Sequence, residues 1–236
     1  MRRPLVISHA ACGGHAPANT LAGVRKALEL KADAIEIDVQ ASADGVPILM
    51  HDLTVDRTTN GSGEVAKMSL EYLRTLDAGG EPVPTLTEVL HITRDRALLV
   101  IELKQPGIEN LIASVVRESS VLSDVMAWSF FPQALESMRA SEPRIPGALL
   151  LAAESVSRWP EARERAVGLG LQGVSVFFKG IDEHLTRDCQ RSGLAVYAWT
   201  VDRSPDISAL SELGIDGICT NFPDRAVALL DRKERE

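Results

Sequence analysis

Aromatic residues are scarce: Phe, Trp and Tyr together make up 4% of the 236 positions. So few rings offer little surface for stacking nucleic-acid bases. A basic field is also missing. The net charge is −8 and the pI is near 5.2, a balance that disfavours nucleic acid and anionic membrane surfaces because it repels their phosphates. A small phosphorylated ligand stays compatible, since local groups or a bound cation can neutralise it. Cysteine is limited to Cys12, Cys189 and Cys219, scattered and with no Cys-x-x-Cys pair. That pattern argues against a disulfide framework and fits a reducing compartment, and each cysteine reads as a buried, inert thiol. No stretch approaches the ~18 continuous apolar residues of a membrane-spanning helix. The basic "MRR" is followed only by "PLVI", too short for a signal-peptide core. There is no Walker A sequence and no dinucleotide fingerprint. The expectation is a cytoplasmic protein with a small-molecule substrate, no nucleic-acid partner and no stable membrane insertion, with homo-oligomerisation left open.

What is present is ordinary globular composition, 45% apolar and 25% charged, arranged in an alternating order. Eight apolar, strand-like runs recur at Leu5–Ser8, Ala34–Val39, Ala97–Leu103, Val125–Ser129, Gly147–Leu151, Gly173–Val176, Ala195–Thr200 and Gly217–Thr220. Amphipathic segments such as Thr20–Leu30, Ile108–Glu118, Gln133–Arg139, Glu161–Leu169, Glu183–Arg191, Pro205–Leu213 and Asp224–Arg232 separate or follow them. Continuous apolar strands alternating with helices indicate a parallel sheet covered on its outer face. Eight such units in a chain of this length predict a single (β/α)8 TIM barrel. A ninth run, Val46–Met50, is too close to the second for a parallel crossover. With Asp44-Gly45 as a turn signal, it predicts a hairpin excursion inside an insertion or long loop over residues 40–84, with a short helix near Ser69–Leu76.

In such a barrel chemistry belongs at the C-terminal ends of the strands. The first run ends at His9, the second carries Glu36 and Asp38, the excursion ends in His51-Asp52, and the third ends in Glu102 and Lys104. Residues i and i+2 of a strand share a face, so Glu36 and Asp38 both project into the mouth, and Glu102 joins them from the neighbouring strand. Three converging carboxylates call for a cation, and an all-oxygen set favours Mg2+ or Ca2+ over zinc. Salt bridging of Glu36 or Glu102 to Lys104 or Arg57 is the competing reading. Two histidines beside such a trio suit a general acid and a general base near neutral pH. His91 and His184 fall on helical segments and read as surface residues; His15 is ambiguous. Gly13-Gly14 reads equally as a turn or an anion-facing loop, Asn19 or Thr20 as a helix N-cap, and Trp199 as pocket lining or core.

Taken together, "ISHA", "HAPANT", Glu36-Ile37-Asp38, His51-Asp52, "DRTTNG", "VPTLTEVL", "IELK", "WSFF", "YAWTVD" and "GIDGICTNFPD" resemble the glycerophosphodiester phosphodiesterase family over most of the chain. The resemblance implies a (β/α)8 barrel and hydrolysis of glycerophosphodiesters to an alcohol and sn-glycerol 3-phosphate. It implies Glu36, Asp38 and Glu102 as ligands of a divalent cation and His9 and His51 as the acid–base pair. Lys104 would help hold the phosphate; Trp199, from its strand-end position alone, is the further substrate-contacting candidate. The insertion would lie near the glycerol end of the site. Two positions depart from the family pattern: Ala10 stands where the His-Arg motif has Arg, and Ala18 where Pro-Glu-Asn-Thr has Glu. Retained hydrolysis with an altered substrate preference or rate is the expectation. A lysophospholipid or sugar phosphodiester substrate, and a ligand-binding barrel with little turnover, are the alternatives.

Overall fold

The computed structural model describes residues 3–233. Its strands are β1 (Leu5–Ser8), β2 (Ala34–Ala41), β3 (Pro47–Leu49), β4 (Leu98–Leu103), β5 (Val125–Ser129), β6 (Gly147–Leu151), β7 (Gly173–Phe177), β8 (Ala195–Trp199) and β9 (Gly217–Thr220). The helices are α1 (Leu21–Glu29), α2 (Leu70–Leu73), α3 (Leu86–Thr93), α4 (Glu109–Glu118), α5 (Pro132–Ser141), α6 (Ala153–Val156), α7 (Trp159–Gly168), α8 (Glu183–Arg191), α9 (Ser204–Glu212) and α10 (Pro223–Lys233). Parallel pairing runs β1-β9-β8-β7-β6-β5-β4-β2, and β1 also pairs with β2. The sheet therefore closes on itself as an eight-stranded parallel barrel, which leaves no open edge.

The strands are buried on both faces, and the two faces do different things. All eight residues of β2 are buried. Ile35, Ile37 and Val39 face outward into a cluster that also holds Val24 and Ala27 of α1. The alternate positions Glu36, Asp38 and Gln40 face the inside of the barrel, as the two-residue period requires. Inside the barrel a second, smaller cluster is formed by Ile7, Val100, Trp128, Leu150, Tyr197 and their neighbours. Trp128 and Tyr197 rings meet there with centroids 5.2 Å apart. This plug of side chains makes the barrel a packed core rather than a pore.

β3 confirms the hairpin excursion. It runs antiparallel to β2, with Val39 opposite Leu49 and Ala41 opposite Pro47. The segment that follows carries its own apolar cluster, including Ile48, Val55, Val65, Leu73, Leu76 and Val83. The short helix in it is confined to Leu70–Leu73. Glu81 ties the segment back to the barrel, accepting the Ala22 N–H at 2.7 Å at the start of α1. Helix α3 is absent from the helical segments read above. Its local signal is a capping box: Thr85 accepts the Glu88 N–H while the Glu88 side chain reaches the Thr85 backbone.

Candidate active site

Thr20, not Asn19, caps α1: its hydroxyl accepts the Gly23 N–H at 3.1 Å. That leaves Asn19 for the mouth of the barrel. Its amide donates to Asp38 Oδ2 at 2.7 Å and its Oδ1 accepts the Asp38 N–H at 3.0 Å. Asp38 is thereby fixed at both backbone and carboxylate. Glu102 lies directly across from it, since the β2–β4 register pairs Asp38 with Glu102. Glu36, Asp38 and Glu102 each offer an oxygen, and these oxygens all lie within 4.8 Å of one another.

Three carboxylates this close in a buried site cannot all carry charge without compensation. Burial first, and then the charges of Asp38 and Glu102, push the Glu36 carboxyl well above its usual range. Burial and Asp38 likewise push Glu102 up. Lys104 supplies part of the compensation, with Nζ 2.8 Å from Glu102 and 3.4 Å from Asp38. Burial alone would lower the Lys104 ammonium; the neighbouring Asp38 and Glu102 outweigh it and hold it above its usual value. Arg57, the other candidate partner, pairs with Asp52 instead. Glu36 accepts the Ala10 N–H through Oε2 at 2.8 Å, while its Oε1 is buried with no hydrogen-bond partner. An orphaned oxygen, an oxygen-only donor set and one ammonium for three carboxylates fit a hard divalent cation.

The Ala10 contact also explains a strained turn. Ala10 and Ala11 sit at φ 47° and 66°, a left-handed conformation costing roughly 1–2 kcal/mol per residue. Their N–H groups donate to the Glu36 carboxylate at 2.8 Å and to the Glu36 carbonyl at 2.7 Å, and these two bonds offset the strain and hold the loop after His9 against β2. Gly14 in the same loop is required by space: a Cβ there would stand 2.4 Å from the Asn221 carbonyl.

His9 follows β1, with its N–H on the Thr220 carbonyl at 2.9 Å. Its Nδ1 is 2.9 Å from Asn221 Oδ1. Asp202 accepts both the Asn221 N–H and its Nδ2, each at 2.9 Å. A carboxylate can only accept, so the Asn221 amide must turn its nitrogen toward Asp202 and its oxygen toward His9. The proton of a neutral His9 therefore sits on Nδ1, and Nε2 carries the free lone pair. His51 is held in a parallel way, with Nδ1 2.6 Å from Asp52 Oδ1. Arg57 grips that carboxylate from both oxygens at 2.5 and 2.9 Å and holds Asp52 well below the usual carboxylate range. The buried amide of Gln40 donates to the Met50 carbonyl at 2.9 Å and to the Asp52 carbonyl, pinning the turn that carries His51.

Two adjoining cavities open at the mouth. One, about 350 Å3, lies between the first loop and the insertion and is lined by Ala10, Ala18, Asn19, Leu49, Met50 and Arg57 among others. The other, about 240 Å3, is floored by Glu36, Glu102 and Lys104 and walled by Trp128, Phe130 and Trp199. Among the described residues, only His9 and His51 line both. A larger cleft, about 660 Å3, lies at the opposite end of the barrel beside Leu5, Ala195 and Ile215, where neither histidine nor the carboxylate trio reaches.

His9, His51, Glu36, Asp38, Glu102, Lys104 and Trp199 thus share one mouth. His15 does not join them; it bonds Asp224 at 2.7 Å at the start of α10. His91 and His184 are exposed, and all three cysteines are buried free thiols. Asn19, Gln40, Asp202 and Asn221 escaped the sequence reading as site residues. For Gln40 a signal was present: it continues the inward alternation of Glu36 and Asp38.

An eight-stranded parallel barrel with an oxygen cage and two imidazoles at its C-terminal mouth has the architecture of a (β/α)8 enzyme. A model of the glycerophosphoryl diester phosphodiesterase family matches residues 9–225. A glycerophosphodiester phosphodiesterase of Caldanaerobacter subterraneus subsp. tengcongensis is 35% identical over 97% of this chain and 98% of its own length. One from Bacillus subtilis is 31% identical over 94% of this chain and 85% of its own. Among solved structures, an Oleispira antarctica phosphodiesterase in complex with the product sn-glycerol-3-phosphate superposes with a TM-score of 0.87 at 28% identity, covering 97% of each chain. The chain belongs to the glycerophosphoryl diester phosphodiesterase family, and it is a phosphoric diester hydrolase.

Proposed function

We propose that the chain hydrolyses glycerophosphodiesters to an alcohol and sn-glycerol 3-phosphate, using a divalent cation held by Glu36, Asp38 and Glu102. The observation that carries this reading is the convergence of three carboxylates, within 4.8 Å of one another, on two histidines that line both cavities. A diester has two arms and one phosphate, and the junction of two cavities is where that phosphate belongs.

A bound Mg2+ or Ca2+ would neutralise the trio and draw charge from the nonbridging phosphate oxygens. Lys104, already beside Glu102 and Asp38, turns its ammonium toward the same space and supports the phosphate. Each imidazole has its Nδ1 committed, His9 to Asn221 and His51 to Asp52, so Nε2 is the atom each presents for proton transfer. One ring takes the proton from the attacking hydroxyl, and the other returns one to the departing alkoxide as its bond to phosphorus breaks. The family resemblance favours the glycerol's own hydroxyl as the attacker, giving a cyclic phosphate that water then opens with the two rings in reversed roles.

Ala10 and Ala18 border the 350 Å3 cavity. The Ala10 contact to Glu36 is made by the backbone N–H, which any residue at that position supplies. Chemistry is retained, and the altered positions act on which arm the cavity accepts. The test is release of sn-glycerol 3-phosphate from simple glycerophosphodiesters with and without Mg2+ or Ca2+. Metal-dependent release is expected, abolished in both His9→Ala and Glu36→Ala. Full activity in both variants would overturn the assignment.

A further inference from the structure

The chain has only five phenylalanines, and all five sit at the catalytic end of the barrel: Phe130 and Phe131 just after β5, Phe177 and Phe178 at the end of β7, and Phe222 just after β9. Trp128 and Trp199 join them from β5 and β8. Four of these rings form a continuous train. Phe130 meets Trp199 edge to face at 5.5 Å, Trp199 meets Phe177 at 5.7 Å, and Phe177 meets Phe178 at 5.3 Å. The train starts in the wall of the 240 Å3 cavity, at Phe130 and Trp199 beside Glu102, Lys104 and both histidines. It ends outside that cavity, at Phe178. Of the four rings, Phe130 is 39% exposed and Trp199, Phe177 and Phe178 are half-buried. Single exposed apolar residues need no explanation, but a contiguous set leading out of a catalytic cavity marks a binding surface.

Resting on the reading above, we infer that this train binds a neutral aliphatic chain on the leaving alcohol, so that the preferred substrates are alkyl esters of glycerol phosphate. Two features select that class. The indole N–H of Trp199 is spent on the Ser175 carbonyl at 3.0 Å, leaving the wall with ring surface rather than donors to offer. Lys179 stands at the outer end, 5.9 Å from the Phe178 ring, and repels a cationic headgroup. The hydroxyl-rich glycerol arm goes to the other cavity, where Asn19, Arg57 and Thr58 supply polar atoms.

The experiment measures kcat/KM for release of sn-glycerol 3-phosphate from the ethyl, butyl, hexyl and octyl esters, with Mg2+ present and the octyl ester kept monomeric. The choline ester and its neutral carbon isostere form a second pair. For the wild type, kcat/KM should rise about two- to fourfold for each methylene that reaches the wall, and the neutral isostere should exceed the choline ester. In Phe130→Ser and in Phe178→Ser the octyl-to-ethyl ratio should fall by about tenfold. Phe130 is exposed, so its variant leaves the fold intact; Phe178 packs on the apolar core, and for that variant the ratio cancels any change in the amount of active protein. A flat series in the wild type, a slope unchanged in both variants, or preference for the choline ester would each overturn the inference while leaving the diesterase reading intact. No turnover of any ester would overturn both.

Discussion

The two halves of the barrel mouth are built from different chemistry. The half formed by β1, β2, β4, β9 and the insertion holds every proton-transferring and charged candidate. Nearly all of those side chains have a second residue fixing them: Asn19 on Asp38, Asn221 on His9, Asp52 on His51, Lys104 on Glu102. The half formed by β5 to β8 presents rings and aliphatics that meet edge to face, with the Trp199 indole N–H turned away onto the Ser175 carbonyl. The difference teaches where precision is needed. Proton transfer requires donors and acceptors placed within hydrogen-bond reach, so that half is pinned. An apolar arm only needs area removed from water, so the other half tolerates looser, exposed packing.

The strongest way to break this division is to cut each half and compare. Glu36→Ala and His9→Ala should lower kcat by at least about a thousandfold, whereas Trp199→Ala should act mainly on KM, by about tenfold or less. Equal losses in kcat, measured by steady-state release of glycerol 3-phosphate, would dissolve the distinction.

Chelation probes the pinned half alone. Stripping divalent ions should abolish turnover, and added Mg2+ or Ca2+ should restore it. The same trio carries a stability signature. Glu36 is held above its usual range by burial and by Asp38 and Glu102. Its protonated form therefore favours the fold below the ordinary carboxylate range, and that contribution is lost as pH rises through the elevated value. Melting curves of cation-free protein should show stability falling over that window. Glu36→Gln should reduce the fall, leaving the part that Glu102 contributes, and raise cation-free stability near neutral pH by about 1 kcal/mol, while losing activity. A destabilised Glu36→Gln would show that the trio is already compensated without a cation.

A subtler cut separates holding from reacting. Asp202→Ala frees the Asn221 amide to turn, so His9 loses its fixed tautomer. A drop in kcat of about ten- to a hundredfold is expected, with little change in KM and a displaced pH–rate profile; Asp202→Asn should fall between the two. An unaltered profile would confine Asp202 to a structural role. The smallest effect is expected at Asp52. Its carboxylate is held low chiefly by the Arg57 hydrogen bonds, so its contribution is present above the usual Asp range and is lost as pH falls through its depressed value. The pair is partly exposed, which limits its worth to about 1 kcal/mol or less. The melting temperature of Asp52→Asn should therefore fall less steeply in acid than that of the wild type.

Much of this was legible in one dimension because the governing rules are local. Apolar runs of four to eight residues separated by helices specify a parallel, covered sheet, and the closed barrel follows that order. The alternation of Glu36 and Asp38 along a strand decides that both face inward, and the next parallel strand in sequence brings Glu102 opposite Asp38. What the tertiary structure alone decided involves residues far apart. Asn221 meets His9 across 212 positions because β9 closes against β1, and closure is a property of the whole sheet. Asn19 left the helix cap to Thr20 because Asp38 offered it two bonds. The phenylalanine train required β5, β7 and β8 to be curved around one mouth. Local periodicity sets which face a side chain takes; only the closed barrel sets which neighbours it finds there.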